Sequence, residues 1–156
     1  IFLFGIGYAN PVPINPNNFK NPKKGMALTA LAGPASNLLM AFVSLFFYYG
    51  ILDIAGLNST VTYAVAYFFY FAASVNVTLA VFNLIPIPPL DGSKVLFVFL
   101  PDKAVEFFYR YQMYFFIGLF VLLYVGILNT PINWLSNQIL NFISWLASLP
   151  YMPFVG

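Results

Sequence analysis

Histidine and cysteine are both absent from this chain of 156 residues, and its only charges are six basic and four acidic side chains. Without cysteine there can be no disulfide framework and no thiolate metal site. Without histidine, no imidazole is available as a metal ligand or acid–base group. Charged residues make up 6% of the chain, against about a quarter in a soluble domain. That is too few to keep a folded surface hydrated. The net charge of +2 forms no basic stripe, and there is no glycine-rich phosphate loop, so neither nucleic acid nor nucleotide is an expected partner.

Apolar sequence is what the chain has in excess. Hydrophobic residues account for 62% of it and the mean hydropathy is +0.86. Three stretches carry no charge: Gly25 to Leu52, Ile54 to Leu90 and Tyr111 to Gly156. A crossing of the ~30 Å hydrocarbon core needs roughly 20 apolar residues, so each stretch can hold one. These features predict an all-α integral membrane protein, with the lipid bilayer as its first partner. Residues 1–156 read as a single membrane domain with about four to five transmembrane or interfacial helices.

Proline sets the boundaries. Near the N-terminus, Asn10-Pro11-Val12-Pro13-Ile14-Asn15-Pro16 cannot be helical, because proline lacks the N–H and its ring clashes with the preceding turn. An extended segment is expected there. A first helix is predicted from about Met26 to Leu52, kinked at Pro34, with Gly33, Ala35 and Ser36 small enough for another helix to approach. A second runs from about Val61 to Phe82. It is broken by Asn83-Leu84-Ile85-Pro86-Ile87-Pro88-Pro89-Leu90-Asp91-Gly92, where three prolines in four positions forbid helix. Ser93 to Leu100 can resume as a short helix that Pro101 ends. A long helix is expected from Val105 to Leu128, a turn at Asn129-Thr130-Pro131, and a last helix from Ile132 to Leu149. Asn133, Ser136, Asn137, Gln138, Asn141 and Ser144 spread polarity along that last helix, while Trp134 and Trp145 sit near its ends. It can span the bilayer or lie in the interface, and spanning is the preferred reading. Lys20, Lys23 and Lys24 precede the first helix, and Lys94, Lys103 and Arg110 follow the second. Two crossings separate the groups, so the positive-inside rule puts Lys20–Lys24 and Lys94–Arg110 together in the cytoplasm, in a multi-pass protein of the cell membrane.

Asp91 is the first residue to examine for chemistry. A carboxylate beside the end of a membrane helix is costly unless paired, solvated or bound to a metal. It could equally cap the short helix that begins at Gly92. The unwound, proline-rich lead favours a wet cavity, since bare carbonyls at membrane depth need water or protein partners.

The run from Asn83 to Gly92 resembles the N-x-x-P-x-P-P-L-D-G motif of the site-2 protease family. Gly33-Pro34-Ala35-Ser36-Asn37 resembles that family's G-P-x-x-N element, and Asn10 to Pro16 followed by Phe19 is similar to the extended segment of its small bacterial and archaeal members. The ordered motifs cover roughly Gly5 to Arg110. The resemblance implies an intramembrane metalloendopeptidase acting on transmembrane protein substrates, with zinc held by two histidines of an H-E-x-x-H helix and by the aspartate of L-D-G. Asp91 would then be the third protein ligand. Asn37 would hold the substrate backbone near the zinc, and Asn83 would have a positioning or structural part. Interhelical hydrogen bonds that fix packing are the alternative for both asparagines. The extended segment, with Asn10, Val12 and Ile14, could pair with an unwound substrate as an added strand; a plain interfacial loop is the alternative.

The sequence contains no H-E-x-x-H. In the family that helix, with its general-base glutamate, precedes the proline-rich segment, so it is expected upstream of Ile1. The apolar start without methionine reads as a truncation point. One carboxylate cannot form a catalytic zinc site of three protein ligands, so these residues alone are expected to bind no stoichiometric zinc and to cleave nothing. Zinc belongs to the complete protein. Two rivals stand beside the protease. One is a non-catalytic relative that binds membrane helices through the same groove. The other is a transporter fragment, since broken helices also build midplane sites; no second copy of either motif supports it.

Overall fold

The computed structural model describes residues 21–55 and 59–152, and every regular element among them is helical. In chain order these are α1 (Pro22–Ala55), α2 (Thr60–Asn83), α3 (Asp91–Phe97), α4 (Asp102–Arg110), α5 (Gln112–Val125) and α6 (Asn129–Ser148), followed by a 3-10 turn at Leu149–Tyr151.

Helices α1, α2 and α6 pack against one another, and α3 packs on α1. Their contacts follow stripes of alternating three- and four-residue spacing, the period that keeps one side of a helix facing its neighbour. On α1 the buried stripe includes Ala27, Ala30, Ala41, Ser44 and Leu45; on α2 it is Ala66, Ala73, Val77, Ala80 and Val81; on α6 it is Ser136, Leu140, Ile143 and Ala147. Small residues dominate inside. Large ones face out: Leu39, Met40, Phe47, Phe68, Phe71 and Val75 are all exposed. A soluble bundle would bury such side chains. Lipid makes their exposure free of cost, and close approach of small residues supplies the packing attraction instead. This is a membrane protein.

Helices α1 and α2 are long and apolar enough to cross a membrane. At 1.5 Å per residue, the 34 residues of α1 extend well beyond a ~30 Å core. It continues through Pro34 as one helix. Gly33, Ala35 and Ser36, expected to receive a neighbouring helix, are exposed; the buried cluster shared with α2 instead takes Ala41 and Leu45 of α1 with Ala73, Val77 and Val81 of α2. Ser59 caps α2, its hydroxyl accepting from the Thr62 N–H at 3.1 Å, as the boundary at Val61 anticipates.

The helix expected from Val105 to Leu128 is two helices, α4 and α5, meeting at 67°. The joint is Tyr111, at φ −104° and ψ 15°. No proline or glycine marks it, but charge does. Asp102, Lys103, Glu106 and Arg110 all lie on α4, and none lies on α5. Counted as one bent span, the pair raises the number of candidate crossings to three. The 14 residues of α5 reach only about 21 Å at 1.5 Å per residue. Its C-terminus is closed by Gly126 at φ 84°: the Ile127 N–H donates to the Leu122 carbonyl and the Gly126 N–H to the Leu123 carbonyl, at 3.2 and 3.0 Å. This paired arrangement needs a left-handed residue, which is where glycine is least costly.

Asn129-Thr130-Pro131 is the first turn of α6 and not a connecting turn. A proline there removes an N–H that has no intrahelical partner anyway. Helix α6 is not among the helices apolar enough to cross a membrane, although it lies along α1 and α2. Its Tyr49–Ser144 hydroxyl pair, at 2.6 Å, ties it to α1.

Candidate metal centre

The proline-rich break after α2 is an ordered series of tight turns. The Ile87 N–H donates to the Ile85 carbonyl and the Leu90 N–H to the Ile87 carbonyl, at 2.8 and 2.9 Å. Pro88 is fully buried, and the Pro88–Pro89 peptide is cis. The path returns the chain sharply enough that the backbone at Gly92 lies against the end of α2. A Cβ on Gly92 would overlap the Leu84 carbonyl and approach the Ile85 carbonyl oxygen to 2.6 Å. The glycine of L-D-G is therefore needed for close backbone approach.

Asp91 is the first residue of α3, and Leu90 occupies the capping position. The aspartate makes no capping hydrogen bond. Instead, Lys94 Nζ donates to Asp91 Oδ1 at 2.9 Å, and the two side chains are 31% and 33% exposed. The second oxygen, Oδ2, lies over α1: a Cβ added to Gly33 would stand 3.4 Å from it. Asn37 follows Gly33 by one helical turn and so shares its face, and its side chain is half-buried. The G-P-x-x-N and L-D-G elements, separated by more than fifty residues in sequence, are thus neighbours in space. Asn83, half-buried, is the last residue of α2 and opens the break. Asn10, Val12 and Ile14 lie outside the described residues.

A second anchor holds α3 from its far end. Lys23 Nζ, at the start of α1, donates to the Leu100 carbonyl and pairs with Asp102 Oδ1, both at 2.7 Å. The start of α1 and the α3–α4 junction therefore lie at the same end of the bundle. A cavity of about 500 Å³, lined by Pro89, Tyr109, Arg110, Gln112, Met113 and Phe116, opens between the proline-rich break and the α4–α5 bend.

Asp91 suits the part of one oxygen ligand to a metal. It is a partly exposed carboxylate at the start of α3, with one oxygen held by Lys94. It cannot be more than one of the ligands. The sequence has no histidine or cysteine, and among the described residues no three potential metal-binding side chains come together. Gly33 was legible as a small residue, but its partner was not. Nothing local in the sequence pairs residue 33 with residue 91. Lys94 carried a signal that charge counting passed over, since a lysine three residues after a helical aspartate can reach its carboxylate.

Residues 49–125 match the family described as peptidase family M50. Among curated proteins, the chain is 32% identical over 136 residues to "Putative zinc metalloprotease YwhC" of Bacillus subtilis, covering 86% of this chain and 61% of that protein. It is 32% identical over 97 residues to "Putative zinc metalloprotease" of Vibrio cholerae, covering 56% of this chain and 22% of the relative. It is 43% identical over 67 residues to "Putative zinc metalloprotease MJ0611" of Methanocaldococcus jannaschii, covering 43% and 31%. The chain thus spans less than two thirds of the length of each of these relatives. No solved structure matches it. The matched residues, the ordered motifs and these relatives make the chain similar to peptidase family M50, the site-2 protease family.

Proposed function

We propose that this chain is part of the catalytic core of a zinc-dependent intramembrane endopeptidase that cuts transmembrane protein substrates. The observation that carries the proposal is the apposition of Asp91 to the Gly33–Asn37 face of α1. It supports the reading by bringing the L-D-G carboxylate beside the glycine of G-P-x-x-N, one helical turn before Asn37.

In this reading Asp91 supplies one carboxylate oxygen to the zinc. The two histidines and the general-base glutamate come from an H-E-x-x-H helix that precedes residue 1 in the complete protein. Zinc, when bound, acts as a Lewis acid and lowers the pKa of its water to about 7. The residues of this chain position the substrate. A helix exposes no free peptide groups, because its carbonyls and N–H groups are bonded to each other, so cleavage needs local unwinding. Asn37 offers an amide donor and acceptor to an unwound backbone. Asn83 serves the same end from the other side of the break, and the segment containing Asn10, Val12 and Ile14 takes the unwound strand as an edge partner. The 156 residues by themselves are inactive. The protein is multi-pass in the cell membrane, with the ends bearing Lys20–Lys24 and Lys94–Arg110 in the cytoplasm.

Reconstitution of the complete gene product in vesicles with a transmembrane substrate tests this reading. Cleavage by the natural protein is expected, with loss in Asp91→Ala and no cleavage by residues 1–156 alone. Cleavage by Asp91→Ala at the natural rate would remove the aspartate from the mechanism. No cleavage by a complete protein that lacks both upstream histidines would leave the non-catalytic helix-binding relative.

A further inference from the structure

Helix α6 lies at the depth of α1 and α2. Its buried Leu140, Ile143 and Ala147 share one cluster with Ala41 and Leu45 of α1 and with Ala73, Val77 and Val81 of α2. Its first turn closes on the end of α2, where Pro131 and Ile132 line a small cavity with Val81 and Leu84. Near its far end Ser144 meets Tyr49. Its 20 residues reach about 30 Å at 1.5 Å per residue, the thickness of the hydrocarbon core. Yet its exposed side carries Asn133, Asn137 and Asn141, the last two in its middle third. Residues four apart are neighbours on a helix surface, so the three carboxamides form one polar ridge. Polar side chains of α1 and α2 turn back on their own helices: Ser44 donates to the Met40 carbonyl, Asn76 to that of Ala72 and Thr78 to that of Ser74, at 2.7, 2.8 and 2.9 Å. The three asparagines of α6 form no such bond among the described residues, and an amide left unpaired in hydrocarbon is strongly unfavourable.

We propose that this ridge is a homotypic docking face, on which α6 of a second copy of the chain packs. A carboxamide carries both donors and acceptors, so a row of asparagines is complementary to itself. Two copies inserted in the same direction are related by a twofold axis along the bilayer normal, and each asparagine then meets its own counterpart. Ridges of four-residue spacing interdigitate when two helices cross at about −40° to −50°, which stacks the three amide pairs one helical turn apart. The same row continues to Trp145, which is exposed and extends the ridge with the kind of large aromatic surface that interfaces favour. Lipid offers these amides no partner. The docking face involves neither Asp91 nor a metal.

The test uses two populations of the complete gene product, one fused to a donor and one to an acceptor fluorescent protein, mixed in phospholipid vesicles. Energy transfer is followed as added lipid dilutes them. The natural protein is expected to show transfer above random proximity that falls with dilution as a dimer dissociates. A hydrogen bond between membrane helices contributes roughly threefold to association. Asn133→Leu, Asn137→Leu and Asn141→Leu together should therefore weaken the dimer about 20-fold, while Asn137→Gln, which keeps donor and acceptor, should retain most of it. The thermal midpoint of the triple variant, read in dilute detergent, should not fall, because the exchange is made on the exposed side. If the triple variant does not fold, Asn137→Leu alone carries the test, with a loss of roughly threefold. Equal transfer in the natural protein and the leucine variants would overturn the inference. So would a natural protein with no transfer above random proximity, which would leave the ridge to water or to a different protein. A folded triple variant whose midpoint falls while its transfer is unchanged would overturn it too, by placing the ridge against another segment of its own chain.

Discussion

Among the described glycines whose surroundings are defined, Gly92 leaves the least room for an added methyl. The added Cβ would overlap the Leu84 carbonyl and lie 2.6 Å from the Ile85 carbonyl oxygen. Both are backbone atoms at the end of α2, so relief cannot come from turning a side chain. Either α3 must lift from α2 or the proline-rich turns must open. Overpacking ordinarily costs about 1–3 kcal/mol, and a clash of backbone with backbone belongs at the upper end, near ~3 kcal/mol. For a chain of this size about 1 kcal/mol moves the thermal midpoint by 2–4 °C, so Gly92→Ala should lower it by roughly 6–12 °C. Trp134 and Trp145 on α6 give an intrinsic fluorescence signal for thermal unfolding in detergent. Gly118→Ala is the control, because nothing lies within 4 Å of a Cβ there. A Gly92→Ala midpoint within about 1 °C of the natural protein, well below the shift expected from overpacking, would mean that the break does not fold back as described.

Other substitutions probe other parts of the account. Gly126→Ala forces an L side chain to φ 84° and should cost roughly 1–2 kcal/mol, read as a lowered thermal midpoint. Leu45→Ala empties a fully buried site in the α1–α2–α6 core; it should cost about 2 kcal/mol, the low end of the soluble range, because in lipid the lost term is packing and not transfer from water. Lys23→Met removes the donor to the Leu100 carbonyl and should cost about 1 kcal/mol by denaturant titration. Asp102→Asn should be nearly silent, since that carboxylate is 93% exposed and exposed pairs contribute ~0–1 kcal/mol.

Much of the architecture could be read from the residues, for identifiable reasons. The C-terminal end of α2 was legible because the prolines after Asn83 exclude helix outright; the Ser59 cap at its start emerged from the structure. The break at Tyr111 was not, because neither proline nor glycine marks it. The signal that could have located it is charge, which stops at Arg110. Pro131 misled in the opposite way: proline reads as a stop, yet in a first helical turn it is tolerated. At the candidate site, Asp91, Asn37 and Asn83 came from the family's motifs. The approach of Asp91 to Gly33 depends on how α3 settles on α1, a long-range result with no local signature. Gly33, expected with Ala35 and Ser36 to receive a helix, is exposed as they are, and what lies near it is a carboxylate oxygen. The pairing of Lys94 with Asp91 needed only the three-residue spacing.

Zinc stoichiometry is the most direct test of the claim that Asp91 completes a metal centre begun elsewhere in the protein. Elemental analysis of the complete gene product should give about one zinc per chain, as a catalytic site of three protein ligands requires. Asp91→Ala should fall well below that value while remaining folded. A full complement of zinc in Asp91→Ala would contradict the account, and the carboxylate over Gly33 would then need another explanation.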